Sequence, residues 1–564
     1  MRATQVKLTA LAVLAIVLCV SVAALGQNID TWDGGGGDNN WGTGNNWVDN
    51  TAPPLGSIIN FAGSTRTTPF FNYTSFDNMN RIFLNAGAAA FTLNGNSIKF
   101  VNNNGVPKIE NNSTNKLTLG FANISFDTSG EINPVNGDID VNLGGGAGSL
   151  FLDNSAVISV FGNNGFKLSF FTPLKNAGGA VVVKQASEVI FAAANTYSGD
   201  TTIEAGTVSY AAGGSTSSPF HRIGVDGGSA AGTLRITDAD GGTTLTGGIV
   251  ARSGTGARRI QATNTSGTNT YSGNIFLDGN VETSIASGGT IAFTGATINV
   301  NNQALTVNGA GNTQITNGLK NPDSGEIGSL IKNGAGALYL EGTSTYAGTT
   351  TVSNGALIVN GTHNGGDNYS IASGATLGGS GTIAPASGKS VSISGNVSPG
   401  NSVGNLTLST TGGGVTEFAK GGSYTWEINA QSPASPAGTA WDQLTLGAVS
   451  VTATTITSPE ERFTIKIVSL NGSTPGLVPG WIPGSPDAPK RYIIATSSSN
   501  SFLNVDLNKF YVDTTLFQNV YPSGWSLAIG NNGGSLDLVY VPEPGSLTTI
   551  IGSSAVLLRR RRRF

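Results

Sequence analysis

Residues able to carry chemistry are scarce in this chain. Its 564 residues include two histidines, His221 and His363, and a single cysteine, Cys19. Two histidines cannot make a multi-histidine metal centre. Cys19 lies in an apolar N-terminal run, so the body of the chain offers no thiolate nucleophile, disulfide or cysteine-bound zinc. Glycoside hydrolysis needs two carboxylates about 5 to 9.5 Å apart. A candidate pair is Asp238 and Asp240, one residue apart in Thr237-Asp238-Ala239-Asp240-Gly241-Gly242. Extended, they share one strand face and could offer oxygens to calcium; the reading adopted here is a solvated turn. His221-Arg222 could serve a lyase, but no lysine or carboxylate cluster accompanies it, and it reads as a surface corner. His363, inside Gly361-Thr362-His363-Asn364-Gly365-Gly366, reads as a loop residue. No Ser-His-Asp order, phosphate loop or nucleotide fingerprint has the strand-helix context it requires. No catalytic residue, metal or cofactor is expected.

The composition says what would have to position any site. Charged residues are 11%, under half the roughly 25% usual for globular proteins, and glycine is 81 of 564. Hydrophobic residues reach 38%, enough for a core, in short pieces. The Glu-, Lys- and Ala-rich stretches of long amphipathic helices are missing, and glycine has no three-residue period. An all-β, turn-dense chain remains. Seven of the 29 basic residues and one of the 33 acidic ones lie in the terminal segments; the other 22 face 32, a net of −10. So acidic a body does not suit nucleic acid.

From about residue 61 to 410, apolar runs of three to five residues alternate with Gly, Asn, Ser and Thr, as in Val181-Val182-Val183 and Ala356-Leu357-Ile358-Val359. Self-similarity then sets the architecture. Tyr197-Ser198-Gly199-Asp200-Thr201-Thr202-Ile203 aligns without gaps with Tyr346-Ala347-Gly348-Thr349-Thr350-Thr351-Val352. The register continues through Gly206 and Gly355 to Val208 and Leu357. A shorter copy, Asn269-Thr270-Tyr271-Ser272-Gly273, puts its tyrosine 74 residues after Tyr197 and 75 before Tyr346. Ser284-Ile285-Ala286-Ser287-Gly288 likewise repeats as Ser370-Ile371-Ala372-Ser373-Gly374.

Such a pattern fits a parallel β-solenoid. Tight corners take Gly and Asn where φ is positive, apolar residues stack on the coil below, and a stack buries what one coil cannot. Coils of roughly 20 to 25 residues, about 4.8 Å apart, would make a rod on the order of 70 Å long. Tyr197, Gly199 and Gly206, with Tyr346, Gly348 and Gly355, are the predicted repeat corners. Ile203 and Val352 should point inward, and Thr202 and Thr351 outward. These repeats resemble the autotransporter-associated β-strand repeats of bacterial surface proteins. Val397 to Leu408 also resembles a segment found late in such passengers. The tail is arginine-rich rather than a membrane barrel, so self-transport is not expected.

Both ends read as addresses. Arg2 and Lys7, the apolar Leu8 to Val22 and Ala24-Leu25-Gly26 form a signal peptide over residues 1–26. Residues 541–564 hold Pro542-Glu543-Pro544, an apolar run from Leu547 to Leu558, and Arg559, Arg560, Arg561, Arg562 and Arg563. Twelve helical residues span about 18 Å against a hydrocarbon core of roughly 30 Å, a marginal anchor whose arginines would stay cytoplasmic. The order of motif, apolar run and arginines resembles the PEP-CTERM sorting signals of Gram-negative bacteria. The resemblance implies that an exosortase, a membrane transpeptidase, reads Pro542, Glu543 and Pro544 during transient anchoring in the inner membrane.

The expected organisation is a signal peptide (1–26), a Trp-, Gly- and Asn-rich cap (27–60), the solenoid (61–410), a smaller C-terminal β domain or cap (411–540) and the sorting signal (541–564). Trp32, Trp41 and Trp47 could stack on sugars, but the reading adopted is a cap on the first coil. Trp441-Asp442 reads as a polar turn. The whole points to a secreted, non-enzymatic structural or adhesive protein of the cell surface or extracellular matrix, touching exopolysaccharide or other surface proteins. The alternative is a carbohydrate-active β-helix enzyme, a polysaccharide lyase or glycoside hydrolase. Three or more charged side chains clustered on one solenoid face would favour it.

Overall fold

The computed structural model describes residues 29–540, apart from 55, 75–77, 104, 164, 186, 322, 432–436, 453–460, 482–490 and 520–523. The expected signal peptide and sorting signal lie outside the described residues. Two compact units meet between Thr263 and Asn264. Both are all-β, and among the described residues the helical turns are 3-10 turns of three or four residues. The architecture is the parallel β-solenoid expected from the repeats.

In the first unit one sheet stacks ten parallel strands, from Ile29–Trp32 and Ile58–Phe61 through Ala180–Val183, Thr201–Ile203 and Phe220–Ile223 to Gly248–Ala251. A second runs from Phe70–Phe71 through Lys167–Phe170, Glu188–Phe191 and Gly206–Tyr210 to Arg258–Ala262, and a third from Asn78–Met79 to Leu174–Lys175. Most strands alternate: in Ala180–Val183, Val181 and Val183 are buried and Ala180 and Val182 half-buried, whereas Ile124–Phe126 is buried throughout. Register partners lie 19 to 29 residues apart, from Glu188 on Thr207 to Ile29 on Ile58. Some coils are thus longer than expected, because corners absorb loops such as 34–40.

The start of the stack is closed by its own chain. Val48 N donates to Thr31 O at 3.0 Å and Asp33 N to Asn46 O at 3.0 Å, covering the open edge of the first strand. Open edges invite pairing with other chains. Behind it Trp32, Trp41 and Trp47 are all 0% exposed and meet edge-on, with Trp32–Trp47 centroids 5.3 Å apart. These rings close the coil; none is available to a sugar.

In the second unit parallel strands stack in four sheets. One runs from Val281–Ile285 through Thr350–Val352 and Tyr369–Ile371 to Ala448–Val451, another from Thr268–Tyr271 through Ala356–Val359 to Phe463–Asn471. Register partners are 19 to 51 residues apart, from Thr350 on Tyr369 to Leu444 on Ala495. Parallel stacking therefore continues past residue 410. Among the described residues, antiparallel strand pairs form a hairpin at Asn471–Thr474 and the final strands, where Ser535–Tyr540 lies between Arg491–Ser497 and Trp525–Gly530, and single antiparallel bridges join Gly379 to Gly400 and Ile428 to Trp441.

Candidate functional site

The two long repeat copies build the same corner. Tyr197 and Tyr346 are 0% exposed, and each hydroxyl meets the threonine four residues on: Tyr197 to Thr201 at 2.7 Å, Tyr346 to Thr350 at 2.6 Å. Gly199 N donates to Gly179 O, and Gly348 N to Gly328 O, both at 2.8 Å. A Cβ on Gly199 would stand 2.6 Å from Gly179 O, and on Gly348 2.5 Å from Gly328 O. These glycines are needed for close approach to the coil below. Gly206 and Gly355 are needed for handedness, with φ of +98° and +68°. Ile203 and Val352 are fully buried, and Thr202 and Thr351 half-buried, as the alternation requires. The first threonine of each pair was not expected in the core; its hydroxyl is carried there by the tyrosine. The shorter copy differs: Tyr271 lies within a strand and stacks on Phe293 at 5.7 Å.

Both histidines overturn their expected settings. His221 is not a surface corner but 0% exposed, with Nε2 2.9 Å from the Tyr210 hydroxyl. His363 is not in a loop but in strand Thr362–Asn364, 0% exposed, stacked on Tyr346 with centroids 4.0 Å apart. Its Nε2 donates to Tyr346 O at 2.9 Å and its Nδ1 accepts from the Tyr369 hydroxyl. Burial pushes both imidazoles down to about 4, so they are neutral at physiological pH. Neither reaches solvent as a catalytic base must. Their partners Tyr210, Tyr346 and Tyr369 come from neighbouring segments, and the strands beneath place Thr201 under His221 and Ser344 under His363.

Two buried cations were also missed. Arg258, 1% exposed, donates to the carbonyls of Arg252 at 2.9 Å, Ser253 at 2.6 Å, Val225 at 3.2 Å, Ala230 at 3.4 Å, and Gly256. Lys332, 1% exposed, donates to Gly334 O and to Asn354 O at 3.2 Å, and burial lowers it to about 8. Each satisfies carbonyls at corners that the strand ladders leave open.

The carboxylates divide into buried and surface sets. Asp238 and Asp240 lie at a turn, Asp238 half-buried and accepting from Thr243 Oγ1 at 2.8 Å, Asp240 exposed. Asp442 is not in a polar turn: it is 0% exposed, accepting from Gly404 N at 2.8 Å and Glu427 N at 3.0 Å. Burial raises it well above the usual carboxylate range and also raises Glu427, a pattern shared with acid catalysts. A catalytic acid must reach the leaving oxygen, whereas Asp442 is sealed and spends both oxygens on backbone amides. On the surface of the first unit, Lys108 Nζ lies 3.0 Å from Glu131 and 3.5 Å from Glu110. Glu188 bridges Arg235 at 3.3 Å and Lys167 at 3.4 Å. These triads meet the numerical condition set for the enzyme alternative, yet every carboxylate in them has a cation within 3.5 Å. Among the described residues no group of three metal-ligating side chains converges.

Pro542, Glu543, Pro544 and the five arginines lie outside the described residues. A family model, the passenger-associated transport repeat, matches residues 186–209 and 330–359. The match bears out the resemblance to autotransporter-associated β-strand repeats. It spans both long corners, Tyr197 to Val208 and Tyr346 to Leu357, and it leaves out the divergent copy at Tyr271. No curated protein matches the chain. Repeat and solenoid together fit a secreted, passenger-type surface protein.

Proposed function

We propose that this chain is a structural and adhesive protein of the cell surface or extracellular matrix, delivered across the inner membrane and released or attached through its C-terminal segment by an exosortase. The observation that carries the reading is the pair of matched corners, Tyr197 to Ile203 and Tyr346 to Val352, each built into a coil whose interior is filled by side chains. A stack of this kind is stabilised by its neighbours from end to end. It presents short polar side chains outward, which suits display and contact more than turnover. The apolar Leu547–Leu558 run with Arg559 to Arg563 supplies the transient anchor, and Pro542-Glu543-Pro544 the processing mark.

The test is made in a host that has the exosortase, with an epitope tag at the exposed Asp240 turn. The wild-type chain should appear as a shortened product outside the inner membrane. Glu543→Ala should remain full length in the membrane fraction. Equal mass and distribution for the two would overturn the sorting part of the proposal.

A further inference from the structure

In the first unit, one corner of the solenoid carries two grooves that flank the same turn. The first, about 290 Å³, is lined by Lys108, Glu110, Glu131, Asn133, Phe161 and Gln185. The second, about 220 Å³, is lined by Phe166, Lys167, Ser187, Glu188, Thr207 and Arg235. Phe161 and Phe166, both half-buried, bracket the turn between strands Val157–Val160 and Lys167–Phe170. Gly162 pins that turn to its neighbours: a Cβ there would stand 2.7 Å from Ser187 Cβ and 2.9 Å from Pro134 O. We infer that this corner binds a neutral polysaccharide chain, a site and ligand class that rest on the surface-protein reading above.

Charge selects the ligand class. The first groove has one cation between two carboxylates, and the second two cations around one, so the ion-paired groups balance, and Lys184 beside Phe161 adds a single further cation. A polyanion or polycation gains little net attraction at such a surface. A hydroxyl-rich neutral polymer gains from both partners of each ion pair, because hydroxyls donate to Glu131 and Glu188 and accept from Lys108 and Arg235. Asn133 and Gln185 add amides that do both. Aromatic faces beside convergent polar groups are the usual composition of a small-molecule cleft, and a sugar ring's C–H face packs on such rings. Lys184 Nζ lies 5.5 Å from the centre of the half-buried Phe161 ring. The first groove crosses four successive coils, those of Lys108, Glu131, Phe161 and Gln185. At about 4.8 Å per step it extends on the order of 14 Å, room for a chain segment rather than one ring.

Affinity electrophoresis of the purified chain through gels holding dextran, laminarin, galactomannan or polygalacturonate tests the site. At least one neutral polymer should retard the wild-type chain, and polygalacturonate should not. Phe161→Ser with Phe166→Ser should weaken binding tenfold or more. Phe171→Ser, exposed but lining neither groove, should leave it unchanged. If the double variant melts early, Gln185→Ala carries the test with an expected loss of threefold or more. Retardation by polygalacturonate alone, by no neutral polymer, or undiminished in the groove variants would overturn the inference. Binding is read on purified protein and location on cells, so either reading can fail while the other stands.

Discussion

The Thr201 hydroxyl lies 2.7 Å from that of Tyr197, both 0% exposed, and the pair joins a corner to the strand that leaves it. Thr350 and Tyr346 repeat the arrangement at 2.6 Å. A buried hydroxyl without a partner costs about 1–3 kcal/mol, so each member of a pair makes the other tolerable. This explains why Tyr and Thr recur together at a spacing of four.

Tyr197→Phe should destabilise the chain by about 1–2 kcal/mol, and Thr201→Val by a similar amount, because each removes one hydroxyl from a buried cluster that Tyr210 and Thr216 also join. The double variant should lose about 1 kcal/mol less than the sum of the singles. Urea unfolding of the four proteins checks this; strict additivity would show that the hydroxyls do not act as a pair.

Acid should weaken the fold through its histidines. Unfolded imidazoles titrate near 6.5, whereas His221 and His363 are held at about 4 by burial, so between those values the unfolded chain binds more protons. Stability from this source is intact above pH 6.5 and declines as pH falls towards 4, by about 3 kcal/mol per histidine over the whole window. His221→Gln with His363→Gln should flatten that part of a stability–pH curve. An unchanged slope would mean that the imidazoles are not buried neutral.

The alternation makes a register test. Ile203→Asp or Val352→Asp buries an unpaired carboxylate and should cost several kcal/mol, whereas Thr202→Asp or Thr351→Asp, one residue earlier, should cost under about 1 kcal/mol. Thermal melting of the four variants reads the difference. Equal damage at both positions would shift the register by one.

Much of this was legible because it is local. Glycines at Gly199 and Gly206, the alternation in Thr201–Ile203 and the recurrence 149 residues on at Tyr346 mark coils without any partner being known. What stayed hidden depends on the coil beneath. His221 looks polar beside Arg222, but its register partner is the buried Thr201. Asp442 looks like turn chemistry until Gly404, 38 residues earlier, offers it an amide. Beyond residue 410 the alternating strands left a sheet or a coil stack open, and the parallel pairing of Val415 with Ala448, across strands Ser423–Ile428 and Gln443–Leu446, decides for the stack.

Arg258 should resist even a conservative change. Its planar guanidinium reaches five backbone carbonyls, and a lysine has three donors on one nitrogen. Arg258→Lys should cost about 2–4 kcal/mol, from carbonyls left without a donor inside the fold. Hydrogen exchange should then quicken at residues 225–230 and 252–258 first. A variant as stable as wild type would show that those carbonyls find water.

The central claim, a folded solenoid displayed outside the cell, is tested most directly by protease shaving of intact cells. With an epitope tag and a cleavable sequence placed together at the exposed Asp240 turn, added protease should remove the tag while a cytoplasmic marker stays whole. Fragments that retain the coils should resist further digestion. A tag protected until the cells are broken open would contradict the account.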